Sequence, residues 1–386
     1  MDRKRKSSQD LQEPKSKSKC IEKDSQNNFG NMRLRRIIKE NHGHDISQLS
    51  FFFNNKNITK LTATALIDTS NILGSVGGCE LSVYDNEHCG DHLDIMSNFD
   101  ITPSNVKDEI KHKLNTLCWI YKEEGDALIA TAGADTMIHI LSLANSEEVL
   151  LLKGHTNKIT DLQSHPLNDN HILSTSKDGT VRLWDVNQEK CLFVFEANAT
   201  LTVSCFHPSG TAFITGSDNG DLYEWTIPNI IETANDRPLV VSIKDARILN
   251  KIHGNSYIDC IRFANGNIIT KSIDNQLHYW NSDTQKKIHS FLVKSGENNS
   301  RFDVSLDECF LCIGSDYGAV YVYDIQTSKL LAELHHKKTS KAVRCCAFTR
   351  NCGQIVAGGE DAFIMRYDYV DDDTLKEWAD WKKKAD

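Results

Sequence analysis

The sequence predicts an all-β protein in which a unit of about forty residues is repeated seven times. One indication is a series of seven residue pairs, each an aromatic residue or leucine followed by a polar residue: Tyr84-Asp85, Leu141-Ser142, Trp184-Asp185, Trp225-Thr226, Trp280-Asn281, Tyr323-Asp324 and Tyr367-Asp368. Their first members are separated by 57, 43, 41, 55, 43 and 44 residues. The other indication is a strand-like run of small residues with a turn before most pairs, as at 129–135 and 214–220. Seven such sheets can close into a ring.

The clearest repeat lies in residues 154–185. Its runs 159–163, 171–176 and 180–185 suit strands, and an Asp-Gly turn joins the last two. The repeat opens with Gly-His and closes with Trp-Asp. It therefore resembles a blade of the WD40 family, and the fold class predicted is a seven-bladed WD40 β-propeller.

Four polar or aromatic side chains of this repeat are expected to hold one blade together. A buried imidazole, a carboxylate and a hydroxyl can satisfy one another's hydrogen bonds beside an indole ring. We assign these roles to His155, Asp178, Trp184 and either Ser174 or Ser176. This structural role is preferred to a catalytic one.

Domain boundaries follow from the same spacing. The propeller is predicted to span residues 37–370, and its two longer intervals indicate insertions near 86–111 and 227–250. Residues 37–53 should meet the last blade and close the ring. The tail 371–386 carries Leu375, Trp378 and Trp381 at helical spacing, with acids early and lysines late, which favours a short amphipathic helix.

Charge is distributed unevenly along the chain. Residues 1–36 contain 11 Lys and Arg against 5 Asp and Glu, whereas the rest contains 33 against 48, a net charge of −15. The first 36 residues are also poor in apolar side chains, so a disordered basic tail is expected. Its cluster Arg3-Lys4-Arg5-Lys6 resembles a nuclear localisation signal, although a solvated tail would have the same composition.

Several classes of function are disfavoured. No apolar run approaches 18 residues and no signal peptide is evident, so a membrane segment is not expected. The twelve cysteines are scattered and read as reduced thiols. Neither a phosphate loop, a nucleophile elbow nor a metal cluster is found, so no enzyme activity, cofactor or metal is predicted. Sequence-specific nucleic-acid binding does not suit the acidic body.

A narrower resemblance involves residues 251–281, KIHGNSYIDCIRFANGNIITKSIDNQLHYWN. They resemble the fifth blade of the Embryonic Ectoderm Development family, also called Extra sex combs. Lys39-Glu40-Asn41-His42, residues 174–184 and residues 335–344 agree as well, in the same order. The resemblance extends over residues 38–368, nearly the whole propeller.

This resemblance implies a non-catalytic subunit of Polycomb repressive complex two, acting in the nucleus. Its expected partners are an Enhancer-of-zeste-type SET-domain histone methyltransferase, held as a helix on one face, and other Polycomb subunits. A histone H3 tail is a further candidate partner, because the family binds trimethyl-lysine in an aromatic cage on the other face.

The cage is expected to depart from the family. Its four aromatic positions fall on Ser47, Asn115, Ser300 and Arg301. Phe51 and Phe302 are the nearest aromatics and could serve as walls after a shift, but both also suit strand core. We therefore expect weak or absent methyl-lysine binding.

Two basic residues, Lys177 and Arg344, match family positions near the same pocket, or are simply solvated turn charges. Two alternative functions remain open: a trimethyl-lysine reader with an atypical cage, and a generic WD40 adaptor.

Overall fold

The computed structural model describes residues 29–53, 72–86, 92–102, 112–121, 127–228, 237–249, 251–293, 299–337 and 339–385. Within these residues, strands β1–β29 form seven sheets, and each sheet is one blade of a β-propeller. The strands of each blade are antiparallel neighbours, apart from one added strand in blade 3. The predicted fold class, a seven-bladed propeller, is confirmed.

The first four blades contain the following strands, given from the innermost to the outermost. Blade 1 has β2 (Ile46–Phe52), β3 (Ile72–Gly77), β4 (Glu80–Asn86) and β5 (Leu93–Asp100). Blade 2 has β6 (Leu114–Tyr121), β7 (Ala127–Gly133), β8 (Met137–Ser142) and β9 (Glu147–Lys153). Blade 3 has β10 (Ile159–Ser164), β11 (His171–Ser176), β12 (Thr180–Asp185), β13 (Lys190–Glu196) and β17 (Leu239–Ser242). Blade 4 has β14 (Leu201–Phe206), β15 (Ala212–Ser217), β16 (Leu222–Thr226) and β18 (Arg247–Leu249).

The remaining three blades follow the same order. Blade 5 has β19 (Ile258–Ala264), β20 (Asn267–Ser272), β21 (Gln276–Asn281) and β22 (Lys286–Leu292). Blade 6 has β23 (Asp303–Val304), β24 (Phe310–Gly314), β25 (Val320–Asp324) and β26 (Leu330–Leu334). Blade 7 has β27 (Val343–Phe348), β28 (Gln354–Gly359), β29 (Phe363–Tyr369) and β1 (Met32–Lys39). All seven predicted repeat endings lie in the third strand of their blade.

The ring is closed by the first strand of the chain. β1 pairs antiparallel with β29, from Met32 opposite Tyr369 to Lys39 opposite Phe363. A short 3₁₀ helix, Phe29–Asn31, precedes it, and its Phe29 ring packs edge-on against Phe310 in blade 6. The expected tail boundary at residue 36 is therefore wrong, because residues 29–36 are ordered by these contacts. Residues 1–28, which include Arg3 to Lys6, lie outside the described residues.

The two predicted insertions also need correction. In the first predicted insertion, residues 93–100 are strand β5, the regular outer strand of blade 1. In the second, β17 pairs parallel with β13 as a fifth strand of blade 3, and β18 is the outer strand of blade 4. The described strands of both segments therefore belong to the sheets.

The C-terminal segment forms helix α1 (Asp372–Ala385), where a short helix was predicted. Asn31 Nδ2 donates to Asp372 Oδ1 at 2.6 Å, and the Arg35 guanidinium lies 5.1 Å from the Trp378 ring centre. These contacts hold α1 beside the strand that closes the ring. Across the described part of the chain, no helix has the length and apolar character needed to span a membrane.

The hydrophobic core lies between neighbouring blades. Ile140 of blade 2, for example, belongs to the same buried cluster as Ile172 and Trp184 of blade 3. Alternate residues of a strand face opposite sides of its sheet, so each blade can pack against both neighbours. The inner strands consequently surround a central channel.

Candidate functional site

The interior of blade 3 brings together the four side chains assigned to it. His155 Nδ1 lies 2.8 Å from Asp178 Oδ2, and its Nε2 lies 2.7 Å from Ser174 Oγ. Trp184 Nε1 donates to the same Ser174 hydroxyl at 2.8 Å. Ser174 therefore occupies the hydroxyl position, while Ser176 donates to the carbonyls of Asn157 and Lys158 instead.

Electrostatics in this network favour a structural role. Burial lowers the pKa of His155, although Asp178 opposes the shift. The pKa of Asp178 is lowered because its hydrogen bond and charge interaction with His155 outweigh the effect of burial. Ser174 is fully buried, so no substrate can reach its hydroxyl. Related pairs occur in blades 4 and 5, where Trp225 donates to Thr215 and Trp280 to Thr270, each at 3.0 Å.

The candidate ligand site is the mouth of the central channel, a cavity of about 480 Å³. It is lined by the four positions where the family has aromatic residues and by both predicted basic residues, namely Ser47, Asn115, Ser300, Arg301, Lys177 and Arg344. The structure thus gathers in one place six residues that are up to 297 positions apart in sequence.

A repeated backbone irregularity places many of these side chains. In six blades the pairing of the inner strand with its neighbour skips one residue near the start of the strand. The skipped residues are Ser47, Asn115, Thr160, Thr202, Asp259 and Arg344. All six line the mouth. A bulge re-aims the extra side chain, so this irregularity presents one side chain from each blade to the channel.

Sequence reasoning missed Thr160, Thr202 and Asp259, although a signal for them exists. Each bulge residue is polar and follows the first apolar residue of its inner strand, as in Ile159-Thr160 and Leu201-Thr202. The pattern recurs six times at the spacing of the blades. It becomes informative once the bulge is known, because only then does the polar residue point into the channel.

Arg301 does not project freely into the mouth. Its Nη1 donates to Asp161 Oδ1 at 2.6 Å and its Nη2 donates to the Thr160 carbonyl at 3.0 Å, joining the chain before β23 to blade 3. Asp161 is fully buried and also accepts from the Ser204 amide at 3.0 Å. Arg301 is therefore a bridge across the channel, because a buried carboxylate requires such partners.

The two nearest phenylalanines are not walls of the mouth. Phe51 and Phe302 are 5% and 1% exposed and belong to hydrophobic clusters between blades. They border a separate cavity of about 110 Å³, which Arg301 also lines. Their burial favours strand core, the alternative role given for both rings, and their place in a methyl-lysine pocket stays a prediction. Among the described residues lining the mouth, Tyr257 is the one aromatic.

The charges at the mouth are partly neutralised within the protein. Lys271 Nζ lies 2.6 Å from Asp259 Oδ2, and both side chains are buried. Arg344 Nη1 lies 2.9 Å from Asp316 Oδ1, and a second nitrogen of Arg344 contacts Glu360. The same cavity is also lined by Lys113, Lys158 and Lys177. These lysines have no carboxylate partner among the described residues.

Other chemistry is sparse in the described part of the chain. Its ten cysteines are free thiols, and no group of three His, Cys, Asp or Glu side chains there is arranged to hold a metal ion. Burial raises the pKa of Cys205 to about 11 and that of Cys345 further, so these thiols are poor nucleophiles.

Comparison with known proteins agrees with the architecture. The family model described as "WD domain, G-beta repeat" matches residues 146–185, 189–226 and 328–368. Each match begins near the outer strand of one blade or in the segment leading to it, and ends on the third strand of a blade. The chain therefore contains WD40 repeats and folds as a seven-bladed β-propeller.

Its relatives are Polycomb group proteins. It is 26% identical to Polycomb group protein FIE2 of Zea mays over 340 residues, covering 78% of this chain and 84% of the relative. It is 26% identical to Polycomb group protein FIE1 of Oryza sativa subsp. japonica over 339 residues, covering 78% and 85%. Polycomb protein esc of Drosophila melanogaster is 23% identical over 372 residues, covering 86% and 82%. The resemblance to the Extra sex combs family is confirmed.

Proposed function

We propose that this chain is the non-catalytic scaffold subunit of a Polycomb-type histone H3 lysine methyltransferase complex that represses genes. The observation that carries the proposal is the resemblance to Polycomb group proteins over 86% of the chain for esc and 78% for FIE2. A closed propeller is also a rigid platform whose faces and rim can hold several partners.

The absence of a reactive group at the mouth supports a scaffold role. The described residues contain two His-Ser-Asp arrangements: His155 with Ser174 and Asp178, and His253 with Ser272 and Asp274. The histidine and serine of each are buried inside a blade. The Ser174 hydroxyl accepts from Trp184 and is inaccessible. A nucleophile must reach its substrate, so these arrangements support the fold and not catalysis.

The proposed partner is an Enhancer-of-zeste-type SET-domain methyltransferase, together with other Polycomb subunits. A helix from the methyltransferase would place apolar anchors at i, i+3, i+4 and i+7 against the propeller. The test is purification of the tagged, full-length protein from its own cells at low salt, followed by mass spectrometry. Recovery of a SET-domain histone methyltransferase supports the proposal. Recovery of a ubiquitin ligase or ribosome-assembly factor, without any methyltransferase, supports the generic adaptor instead.

Nuclear localisation is part of the same proposal. Arg3, Lys4, Arg5 and Lys6 form its candidate signal. Replacing all four by alanine should move a fluorescent fusion toward the cytoplasm in cells that lack the methyltransferase, where the partner cannot carry it in. An unchanged distribution in those cells would exclude the cluster as the signal.

Reading of trimethylated histone H3 by an aromatic cage is not favoured. Quaternary ammonium groups are bound against aromatic faces. The mouth presents Ser47, Asn115 and Ser300 at three of the family's four aromatic positions, and Arg301 at the fourth is bonded to Asp161. The mouth therefore lacks the surface on which methyl-lysine selectivity depends.

A further inference from the structure

Three lysines at the channel mouth have no carboxylate partner within the described ranges of the chain. Lys113 precedes β6, Lys158 precedes β10, and Lys177 follows β11, so blades 2 and 3 bring them to one cavity. The two arginines there differ, because Arg301 is paired with Asp161 and Arg344 with two acids. Within the part of the chain that the structure describes, the lysines thus form a positive cluster without acidic partners.

This cluster contrasts with the rest of the protein. Residues 37–386 carry a net charge of −15, yet the mouth brings these three lysines together. Asp45, Asp259 and Glu360 also line it. Burial lowers the pKa of Lys158, and the nearby charges of Lys177 and Lys113 lower it further. Holding like charges together costs free energy, which an anionic ligand would recover.

A second observation points to the same cavity. The Ser300 side chain is 2% exposed, and its hydroxyl has no hydrogen-bond partner among the described residues. Its backbone amide is used, because it donates to Asp259 Oδ2 at 3.0 Å. A buried hydroxyl without a partner is costly, and Ser300 lines the cavity that contains the three lysines. The Ser174 hydroxyl is bonded to His155 and Trp184 inside blade 3, whereas the Ser300 hydroxyl is unpartnered at the cavity wall and can donate to a ligand oxygen.

We propose that the channel mouth binds a phosphate monoester, with Lys113, Lys158 and Lys177 neutralising its charge and Ser300 donating a hydrogen bond. A phosphoryl dianion has several strong acceptor oxygens, which matches several ammonium donors and one hydroxyl. The cavity, about 480 Å³, has the size of a small-molecule or single-side-chain pocket.

The composition of the mouth argues against other ligands. A methylated lysine is a cation and would meet three unpaired ammonium groups. Single-stranded nucleic acid is bound by stacking bases on several aromatic rings, whereas Tyr257 is the one aromatic described here. A phosphate monoester can be carried by a phosphorylated peptide or by a small organic phosphate. Both present the same group to the lysines.

The test is isothermal titration of the full-length protein at low salt with a phosphoserine peptide, the same peptide with unmodified serine, and glycerol 2-phosphate. The phosphorylated peptide should bind at least about tenfold more tightly than its unmodified form, which corresponds to ~1.4 kcal/mol. Binding of glycerol 2-phosphate as tight as that of the phosphopeptide identifies a small organic phosphate as the source. Clearly tighter binding of the phosphopeptide identifies a peptide.

Variants locate the site. Lys158→Gln and Lys177→Gln should each weaken phosphate binding about tenfold, because each removes a charge-assisted contact. Ser300→Ala should weaken it by a smaller factor, about threefold. Lys286→Gln is the matched control, since this exposed lysine lies on β22 and does not line the cavity. Urea midpoints of all variants show whether they are folded.

Three results would overturn the proposal: equal binding of the two peptides, an equal loss in the Lys286 control, or a preference for single-stranded DNA over both phosphates. None of these outcomes depends on the methyltransferase partner. The proposed scaffold function can therefore stand if the phosphate site fails, and the reverse holds as well.

Discussion

The interior of blade 3 and the mouth of the channel are both built from polar side chains, but in different ways. The blade network uses four residues between positions 155 and 184, and their polar groups bond to one another. The mouth is assembled from residues between positions 45 and 360, and three of its lysines have no carboxylate partner among the described residues. The polar groups of the blade network stabilise the fold. At the mouth, three lysine side chains remain available to a ligand in the described part of the chain.

The difference also appears from blade to blade. A tryptophan donates to the hydroxyl of Ser174 in blade 3, of Thr215 in blade 4 and of Thr270 in blade 5. The same buried hydrogen bond is thus repeated in three blades. The six bulge positions hold Ser, Asn, Thr, Thr, Asp and Arg. The backbone bulge is the same at all six positions, so different side chains are accommodated there. Some of these side chains also join neighbouring strands, because Thr202 donates to the Ile258 carbonyl and Asp259 pairs with Lys271.

The largest effect is expected from Trp184→Ala. It removes a buried indole from the cluster between blades 2 and 3 and the donor to Ser174, and should cost about 3–5 kcal/mol of unfolding free energy. Urea unfolding measures it. Trp381→Ala is the control, because that ring is 78% exposed and its loss should cost less than about 0.5 kcal/mol. Equal midpoints for the two variants would contradict the interior role of Trp184.

Breaking the Arg301 bridge should have the next largest effect. Arg301→Met leaves the fully buried Asp161 without its cation and should cost about 2–3 kcal/mol. Adding Asp161→Asn should restore part of that loss, since the uncompensated charge is removed. A double variant no more stable than the single one would show that the ion pair is not what holds the mouth.

The pH dependence of stability should differ between two blade histidines. Burial, followed by the charge of His278, lowers the pKa of His253 to about 3 in the folded protein. Between pH 3 and 6.5 the unfolded chain, whose histidine pKa is near 6.5, binds a proton that the folded chain does not bind. The stability contributed by neutral His253 is therefore fully present above pH 6.5. It falls as the pH decreases from 6.5 toward 3, at up to about 1.4 kcal/mol per pH unit.

His139 shifts in the other direction. Burial lowers its pKa, but hydrogen bonds to Asp135 and Glu148 outweigh burial and raise it. Its contribution is complete below pH 6.5 and is lost as pH rises through its folded pKa. His253→Gln should therefore flatten the acid branch of unfolding free energy against pH. His139→Gln should leave the acid branch unchanged and reduce the fall of unfolding free energy as pH rises above 6.5. The same change in both variants would refute the assignment.

The smallest effect is expected for histone methylation. Trimethylated and unmodified H3 peptides should bind within about twofold of each other, because three or four aromatic faces worth roughly 0.5–2 kcal/mol each are missing. Fluorescence anisotropy with matched peptides measures this ratio. A preference of about tenfold for the trimethyl form, lost in Phe51→Ala or Phe302→Ala, would show a working cage and contradict the buried positions of both rings.

Much of the fold could be predicted because its signals are local. The repeat endings, the Asp-Gly turn and the helical spacing of the C-terminal tail each depend on neighbours in sequence. Gly179 in that turn has φ of +83°, a conformation that glycine adopts readily. The parallel strand β17 was missed since Leu-Val-Val indicates a strand but does not reveal that its partner is β13.

The candidate site was only partly predictable. The resemblance indicated six mouth positions, and all of them line one cavity. It could not show that Arg301 is bonded to Asp161, 140 residues away, or that Phe302 turns into the core. Both outcomes depend on contacts between residues that are distant in sequence. A local sequence pattern does not predict such contacts.

The sequence by itself determined the seven-fold repeat, the WD40 class and the polar interior of blade 3, because these depend on periodicity and on contacts within a blade. Only the tertiary structure decided that residues 29–36 help to close the ring, that Arg301 is a bridge, and that three lysines without a described acidic partner share the mouth. Closing the ring brings the starts of distant inner strands within reach of one another. The chemistry of the channel is consequently a property of the assembled propeller and not of any single repeat.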